Sequence, residues 1–321
     1  MMSSIKGKGR GHICRFAPIF LMAGALLLAA FFGNAVAASK AGKQKVFKSP
    51  EDAVNALYEA MKSNDRKGLL AIFGEREKDL VSSGDDVADN EMRARAVKMF
   101  DEKREIVRRG DRKAILELGR DNWPLPIPLV QEKGSWRFDT EQGKEEILNR
   151  RIGRNELGAI QVCLAYVDAQ REYAVSTRKG GLREYAQRVF SEPGKRDGLY
   201  WETKEGEQPS PVGIFMANAR KEGYKKDPGG KPAPYHGYFY RILKAQGKNA
   251  SGGAFDYVVK DKMIGGFALV AYPAKYGSSG IVTFVVNHEG VIYQKDLGPR
   301  TESLAQRIKI FDPDKTWEKV K

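Results

Sequence analysis

The 321-residue sequence contains only two cysteines and three histidines, and this shortage excludes several kinds of site. A structural zinc site takes about four closely spaced thiolate or imidazole ligands. Cys163, His236 and His288 instead fall on different predicted elements, so neither a metal site nor a thiol–imidazole pair is predicted. Cys14 lies in an N-terminal segment that we expect to be removed, so the mature chain keeps only Cys163. It therefore cannot form an internal disulfide, even in an oxidising compartment.

Signature motifs of nucleotide binding and of serine hydrolysis are also missing. The sequence has no Gly-x-x-x-x-Gly-Lys loop ending in Ser or Thr, and no Gly-x-Ser-x-Gly elbow. Residues 276–280 include two serines but lack the strand-to-helix context that exposes a nucleophile. The sequence therefore predicts no catalytic residue, no cofactor and no metal ion.

A single long apolar run is present, from Phe16 to Phe32, and four basic residues and no acid precede it. This order is typical of a signal peptide, and Ala35 and Ala37 supply the small side chains of a cleavage site. We expect residues 1–37 to be removed and the protein to be periplasmic or otherwise exported. An uncleaved anchor is the alternative, since about 17 apolar residues is the lower limit for spanning a bilayer. No later segment is comparably apolar, so no stable membrane span is predicted after cleavage.

The chain is basic, with a formal net charge of +14 from 55 Lys and Arg against 41 Asp and Glu. Removing the four cations of the signal peptide leaves about +10 on the mature chain. Such a charge attracts polyanions. Export makes nucleic acid an unsuitable partner, which leaves anionic envelope polymers or another envelope protein. The alternative is that the charge serves solubility alone, because acids and bases are interspersed.

The first part of the mature chain has the pattern of helices followed by strands. After a small, basic leader (38–47), Ser49 and Pro50 predict a helix start. Further helices are predicted over 67–73 and 85–108, the last with an inner face of Met92, Ala96, Met99 and Ile106. Strands are then predicted over 114–118, 125–131 and 135–139. Over residues 48–140, this order resembles the architecture of the nuclear-transport-factor-2-like cone.

The second part has the pattern of a long helix followed by an antiparallel sheet. A linker helix (141–154) precedes Asn155, the predicted N-cap of a helix that runs to about Arg178 and buries Leu157, Ile160, Cys163, Leu164, Val167 and Ala174. Strands are predicted over 238–246, 255–259, 266–272, 281–286 and 291–295, and a turn at Gly290 precedes the last of these. Residues 155–312 resemble a pilin head, and 313–321 form a tail. The predicted fold class is α+β.

Three segments carry a more specific resemblance: Pro234–Leu243, Gly265–Pro273 and Asp296–Pro299. Together with Ala169–Tyr173 they are similar to the exported bacterial family catalogued as domain of unknown function 2950. The resemblance runs from about Phe47 to Asp312. It implies a Gram-negative secretory origin and a periplasmic or envelope location. It implies no activity and supplies no catalytic residues.

One group of residues is a candidate ligand-binding site. His236, Tyr238, Tyr240 and Arg241 follow one another closely and combine aromatic and cationic side chains, which suit a glycan or peptide. The structural alternative is that Tyr238 and Tyr240, two residues apart on a strand, pack against the long helix while His236 only begins the strand.

Two functions remain in competition. The first is a non-catalytic envelope protein that binds a component of the envelope or supports its assembly. The second is an envelope enzyme that acts on a glycan or peptide through carboxylates in the N-terminal domain, which requires two acids in one pocket.

Processing at the predicted site gives a mature N-terminus at Ala38. The intact mass of the exported protein measures this directly. Recovery of residues 1–37 in a membrane fraction would instead identify an uncleaved anchor.

Overall fold

The computed structural model describes residues 44–176, 181–203, 206–207, 209–213, 216, 219 and 233–321, which belong to one compact unit. Helices and antiparallel sheets confirm the α+β class. The predicted signal peptide, its cleavage site and residues 38–43 of the leader lie outside these ranges. Within them, no helix has the length and apolar character needed to cross a bilayer.

Four helices open the described chain: α1 (Pro50–Lys62), α2 (Arg66–Phe73), α3 (Lys78–Val81) and α4 (Asp86–Glu102). The Ser49 hydroxyl accepts a hydrogen bond from the Asp52 amide at 3.0 Å, which satisfies an amide at the start of α1. The Asp65 carboxylate likewise accepts a hydrogen bond from the Gly68 amide of α2, also at 3.0 Å. The first two predicted helices are thereby confirmed.

The first sheet comprises β1 (Arg104–Arg108), β2 (Lys113–Leu118), β3 (Trp123–Pro124), β4 (Leu129–Glu132) and β5 (Ser135–Phe138), in the order β1-β2-β4-β5 with β3 beside β2. The prediction that the third helix continues to Arg108 is wrong, because Ile106 and Val107 pair with β2. β-Branched side chains suit this half-buried pleated surface. The predicted inner face is also wrong: Met92, Ala96 and Met99 are only partly buried in α4, whereas its buried side chains are Asp89, Arg93 and Phe100.

One helix, α5 (Thr140–Ser176), replaces the predicted linker helix and the separate helix after it. Asn155 is not an N-cap. It is buried within α5, and its side-chain amide donates to the Ser279 carbonyl at 2.9 Å. Glycine at position 143 permits the close approach of α5 to the segment between β3 and β4, since an added Cβ would lie 2.2 Å from the Pro126 carbonyl oxygen.

The predicted inner face of the long helix is correct only in part. Cys163, Val167 and Ala174 are buried as expected. Leu157 and Leu164 are 67% and 40% exposed, so the buried face is rotated toward Tyr166 and Tyr173. Apolar spacing alone did not fix this rotation, because apolar residues occur around most of the helix.

The second sheet has the order β14-β13-β12-β11-β6. Its strands are β6 (Tyr238–Leu243), β11 (Ala268–Pro273), β12 (Val282–Asn287), β13 (Ile292–Asp296) and β14 (Glu318–Lys319). Two short ribbons lie between β6 and β11 in sequence: β7 (Ala245–Gln246) with β8 (Phe255–Asp256), and β9 (Val258–Val259) with β10 (Lys262–Met263). Helix α5 packs on one face, and α6 (Thr301–Arg307), preceded by a 3-10 turn (Gly298–Arg300), packs on the other.

Two apolar cores form, one within residues 47–138 and one within residues 159–311. Buried polar contacts near the end of α3 connect this short helix to α4 and α5. Arg151 of α5 donates to the carbonyl oxygens of Asp79 and Leu80, at 2.6 Å each, where α3 ends. Arg93 donates to the Val81 carbonyl at 3.2 Å. The two guanidinium groups thus satisfy the carbonyls that the short helix leaves without partners.

Replacing Arg151 with Ala should lower the free energy of unfolding by about 3 kcal/mol, because the buried carbonyls lose their donors. Urea unfolding measures the loss. The control is Arg150→Ala on the next residue, whose exposed side chain pairs with Glu146 at 2.6 Å. Its expected cost is below about 1 kcal/mol. Equal losses in the two variants would contradict a special role for Arg151.

Gly290 ends the turn between β12 and β13, as predicted, and its φ of 81° lies in the left-handed region that favours glycine. Gly290→Val should cost about 1–2 kcal/mol, because a β-branched residue strains this backbone. Gly290→Asn should cost less, since Asn tolerates the left-handed region. Thermal unfolding compares the two, and an unchanged melting temperature for the valine variant would refute the argument.

Candidate functional site

Two of the predicted ligand-binding residues, Tyr238 and Tyr240, face helix α5. Tyr238 is fully buried, packs against Phe284, and donates its hydroxyl to the Val282 carbonyl at 2.9 Å. Burial raises the pKa of Tyr238 far above its usual value. Tyr240 is partly buried and donates to the Tyr235 carbonyl at 3.2 Å. Both hydroxyls therefore have partners within the fold.

The other two predicted residues lie elsewhere. Arg241 projects from the opposite face of β6, where it donates to the carbonyls of Ala305 and Ile308 at 2.8 and 2.7 Å, at the end of α6. His236 occupies a turn with a φ of 49°, its ring 4.0 Å from that of Tyr235. The structure therefore brings the two tyrosines together and places Arg241 across the sheet from them. A ligand-binding role for the four residues stays a prediction.

The remaining nucleophile and imidazole candidates are held in the second core. Burial raises the pKa of the Cys163 thiol to about 12, so the thiol stays protonated and unreactive at neutral pH. Burial lowers the pKa of His288, which favours its neutral form. Within the described ranges, no cluster of three His, Cys, Asp or Glu side chains could hold a metal ion.

Carboxylates are the groups that the alternative enzyme hypothesis needs inside the first core. The hydrophobic side chains of that core extend from Phe47 to Phe138. Two buried carboxylates, Asp85 and Asp89, belong to the same part of the chain, and both accept hydrogen bonds from backbone amides. Asp85 accepts from Gly237 at 2.8 Å, and Asp89 accepts from Ser83 at 2.9 Å. These contacts indicate a structural role.

Exposed cations gather where two turns of the first sheet meet. We call this group the cationic end, and define it as Lys48, Arg108, Arg109, Arg112 and Lys133, all of them exposed. The β1–β2 hairpin is closed by the Arg109 amide, which donates to the Lys113 carbonyl at 2.8 Å. The Gln131 amide donates to the Arg112 carbonyl at 2.8 Å, which places the β4–β5 turn beside this hairpin.

The position of the cationic end follows from local sequence. Gly110 has a φ of 76°, and no atom would lie within 4 Å of an added Cβ, so the hairpin tip projects into solvent. Lys133 and Gly134 have φ values of 51° and 79°, as a two-residue hairpin turn requires. Lys48 follows Phe47, whose amide donates to the Trp136 carbonyl at 2.8 Å and so adds the leader to the edge of β5.

Nearby acids only partly balance these cations. Glu51 lies 3.9 Å from Arg108, whose guanidinium also stacks 5.2 Å from the Trp136 ring centroid. Glu132 pairs with Arg137 at 2.6 Å, and this contact lowers the pKa of Glu132. Asp111 stands at the hairpin tip itself. The other four cations of this group form no ion pair within the described chain, namely Arg109, Arg112, Lys133 and Lys48.

Such a group can bind oxyanions. Guanidinium groups present forked donors that match phosphate and carboxylate oxygens. Because the side chains are exposed, the interaction is electrostatic and weakens with salt. Sequence reasoning missed this site because it extended a helix to Arg108. The signal was present, since Gly110 and Asp111 separate two short apolar runs, Ile106–Val107 and Ala114–Leu116, as in a hairpin.

Comparison with known proteins places the chain in a family without assigning an activity. No curated protein and no solved structure matches it. One family model, described as "Protein of unknown function (DUF2950)", matches residues 44–320. This range includes both sheets, helix α5 and the cationic end. The chain therefore belongs to the DUF2950 family, as the three sequence segments had indicated.

Proposed function

We propose that the protein is exported to the periplasm and binds anionic polymers of the cell envelope, without catalysing a reaction. The observation that carries this proposal is the cationic end, where five exposed Lys and Arg side chains adjoin two hairpin turns. The predicted signal peptide supplies the compartment. Envelope polymers supply the dense phosphate and carboxylate groups that such a surface attracts.

The enzyme alternative receives less support from the geometry. A hydrolase of glycans or peptides needs two positioned acids that share a pocket with the substrate. The two buried carboxylates of this part of the chain, Asp85 and Asp89, each accept a hydrogen bond from a backbone amide, which favours a structural role. We therefore propose binding as the function.

The proposal predicts that binding depends on where the cations lie. A triple variant, Arg109→Gln with Arg112→Gln and Lys133→Gln, should bind purified envelope fragments about tenfold more weakly at low salt. Three exposed ion pairs at up to about 1 kcal/mol each account for a loss of this size. Co-sedimentation of the mature protein measures it, and affinity should fall as ionic strength rises.

The matched control removes the same charge elsewhere, through Arg120→Gln, Arg300→Gln and Lys315→Gln, which are all exposed. The affinity of this control variant for envelope fragments should fall by less than about threefold. An equal loss in both variants would show that charge acts without a defined site. Binding that ignores salt, or no binding by the unmodified protein, would refute the proposed function.

A further inference from the structure

A groove of about 220 Å³ lies on the α6 side of the second sheet. We call it the C-terminal groove. Its lining includes Val285 of β12, Arg307 and Ile308 at the end of α6, and the later residues Lys309, Ile310 and Trp317. It is separate from the cationic end, which belongs to the first sheet. It also differs from the predicted site around His236.

Backbone hydrogen bonds fix both walls of the groove. On one side, the Phe311 amide donates to the Ala245 carbonyl, and the Gly247 amide donates to the Phe311 carbonyl, at 2.9 Å each. On the other, the Val320 amide donates to the Ile292 carbonyl at 2.9 Å, which attaches the segment after Trp317 to β13. The groove is therefore formed before any ligand arrives, which lowers the entropic cost of binding.

The interior of the groove is apolar. Val285 is buried, Ile308 is partly buried, and Ile310 keeps 40% of its surface exposed. Pro313 and the partly buried Trp317 complete this lining. Sites for one buried anchor side chain commonly combine Trp or Arg with a desolvated apolar pocket. The volume is below the roughly 300–1,000 Å³ of pockets for drug-sized ligands, so it suits a single side chain.

The rim of the groove is cationic. Arg307 and Lys309 are exposed, and neither forms an ion pair with a residue of the described chain. Lys295 adds a third cation, with its Nζ 5.9 Å from the centroid of the Trp317 ring. The one lining carboxylate, Asp312, accepts from the Asn249 amide at 2.8 Å and is thereby directed to a neighbouring loop. A ligand at this groove therefore meets positive charge around an apolar centre.

We propose that the C-terminal groove docks a protein partner through one apolar side chain flanked by acidic residues. The apolar anchor fills the space beside Ile310 and Trp317, and the flanking carboxylates face Arg307 and Lys309. A glycan fits less well, because aliphatic side chains offer a sugar hydroxyl no hydrogen bond. This inference does not depend on envelope binding, since it concerns another surface and another ligand.

The probe is a labelled peptide with a central Leu between two Glu on each side, added to the mature protein. Fluorescence anisotropy should show saturable binding, and a peptide with Ser in place of Leu should bind at least about tenfold more weakly. A peptide with Lys in place of Glu should not bind. Absence of binding at millimolar Glu-Leu peptide would overturn the proposal.

The test variant is Ile310→Glu, which places an acid in the groove, and its control is Val259→Glu, at a site 46% exposed in the β9–β10 ribbon. Ile310→Glu should lower the affinity for the peptide by more than about tenfold, and Val259→Glu should leave this affinity unchanged. Both positions are exposed, so the fold tolerates the change. Equal binding by the two variants would overturn the proposal, as would equal binding of the Ser peptide.

An oligogalacturonate competitor and a sedimentation measurement of mass distinguish other occupants. Displacement of the peptide by the acidic sugar at lower concentration would assign the groove to a glycan. Dimerisation that Ile310→Glu abolishes would assign it to a second copy of the chain. The triple variant of the cationic end should still bind the peptide. The outcome of this test therefore does not depend on whether the cationic end binds envelope polymers.

Discussion

The structure depends on one helix that serves two cores. Helix α5 spans 37 residues, about 55 Å at 1.5 Å per residue, and passes from the first sheet to the second. Arg151 lies about a third of the way along α5 and donates to the end of α3, while Asn155 one turn later donates to the loop before β12. Because burial of a guanidinium is costly without partners, these contacts favour one arrangement of the surrounding segments over others.

This arrangement explains why the buried polar groups are a poor guide to function. Asp85, Asp89, Arg93 and Arg151 are all buried, a property often associated with active sites. Their partners are mainly backbone amides and carbonyls of short helices and turns. They hold irregular segments whose backbone groups have no sheet or helix partner. The surfaces that we propose for ligands are instead the exposed turns of the first sheet and the groove near the C-terminus.

The two surfaces differ in the physics of recognition. The cationic end has exposed charges, so the binding of polyanions that we propose there is screened by salt. The C-terminal groove has an apolar centre with a cationic rim, so binding there combines burial with charge complementarity. Each surface lies on elements whose backbone is fixed by neighbouring strands. Simultaneous use of both would let one chain attach to a polymer and hold a protein partner.

Much of the fold followed from sequence signals that act locally. The Ser49 cap and the Gly290 turn reflect interactions over a few residues, and the structure has both of them. The family also followed from short segments near β6, β11 and β13. Prediction failed at Arg104–Arg108, where helix and strand patterns overlap and pairing with β2 decided the outcome.

The sequence by itself determined the fold class, most element positions, the family and the basic charge, because caps, turns, periodicity and composition are properties of neighbouring residues. Tertiary structure alone decided the continuity and rotation of α5, since these depend on Pro126, Ser279 and the end of α3, which are distant in sequence. It also decided that Arg112 and Lys133 share one end of a sheet. Convergence of side chains requires strand register and packing, which no local pattern specifies.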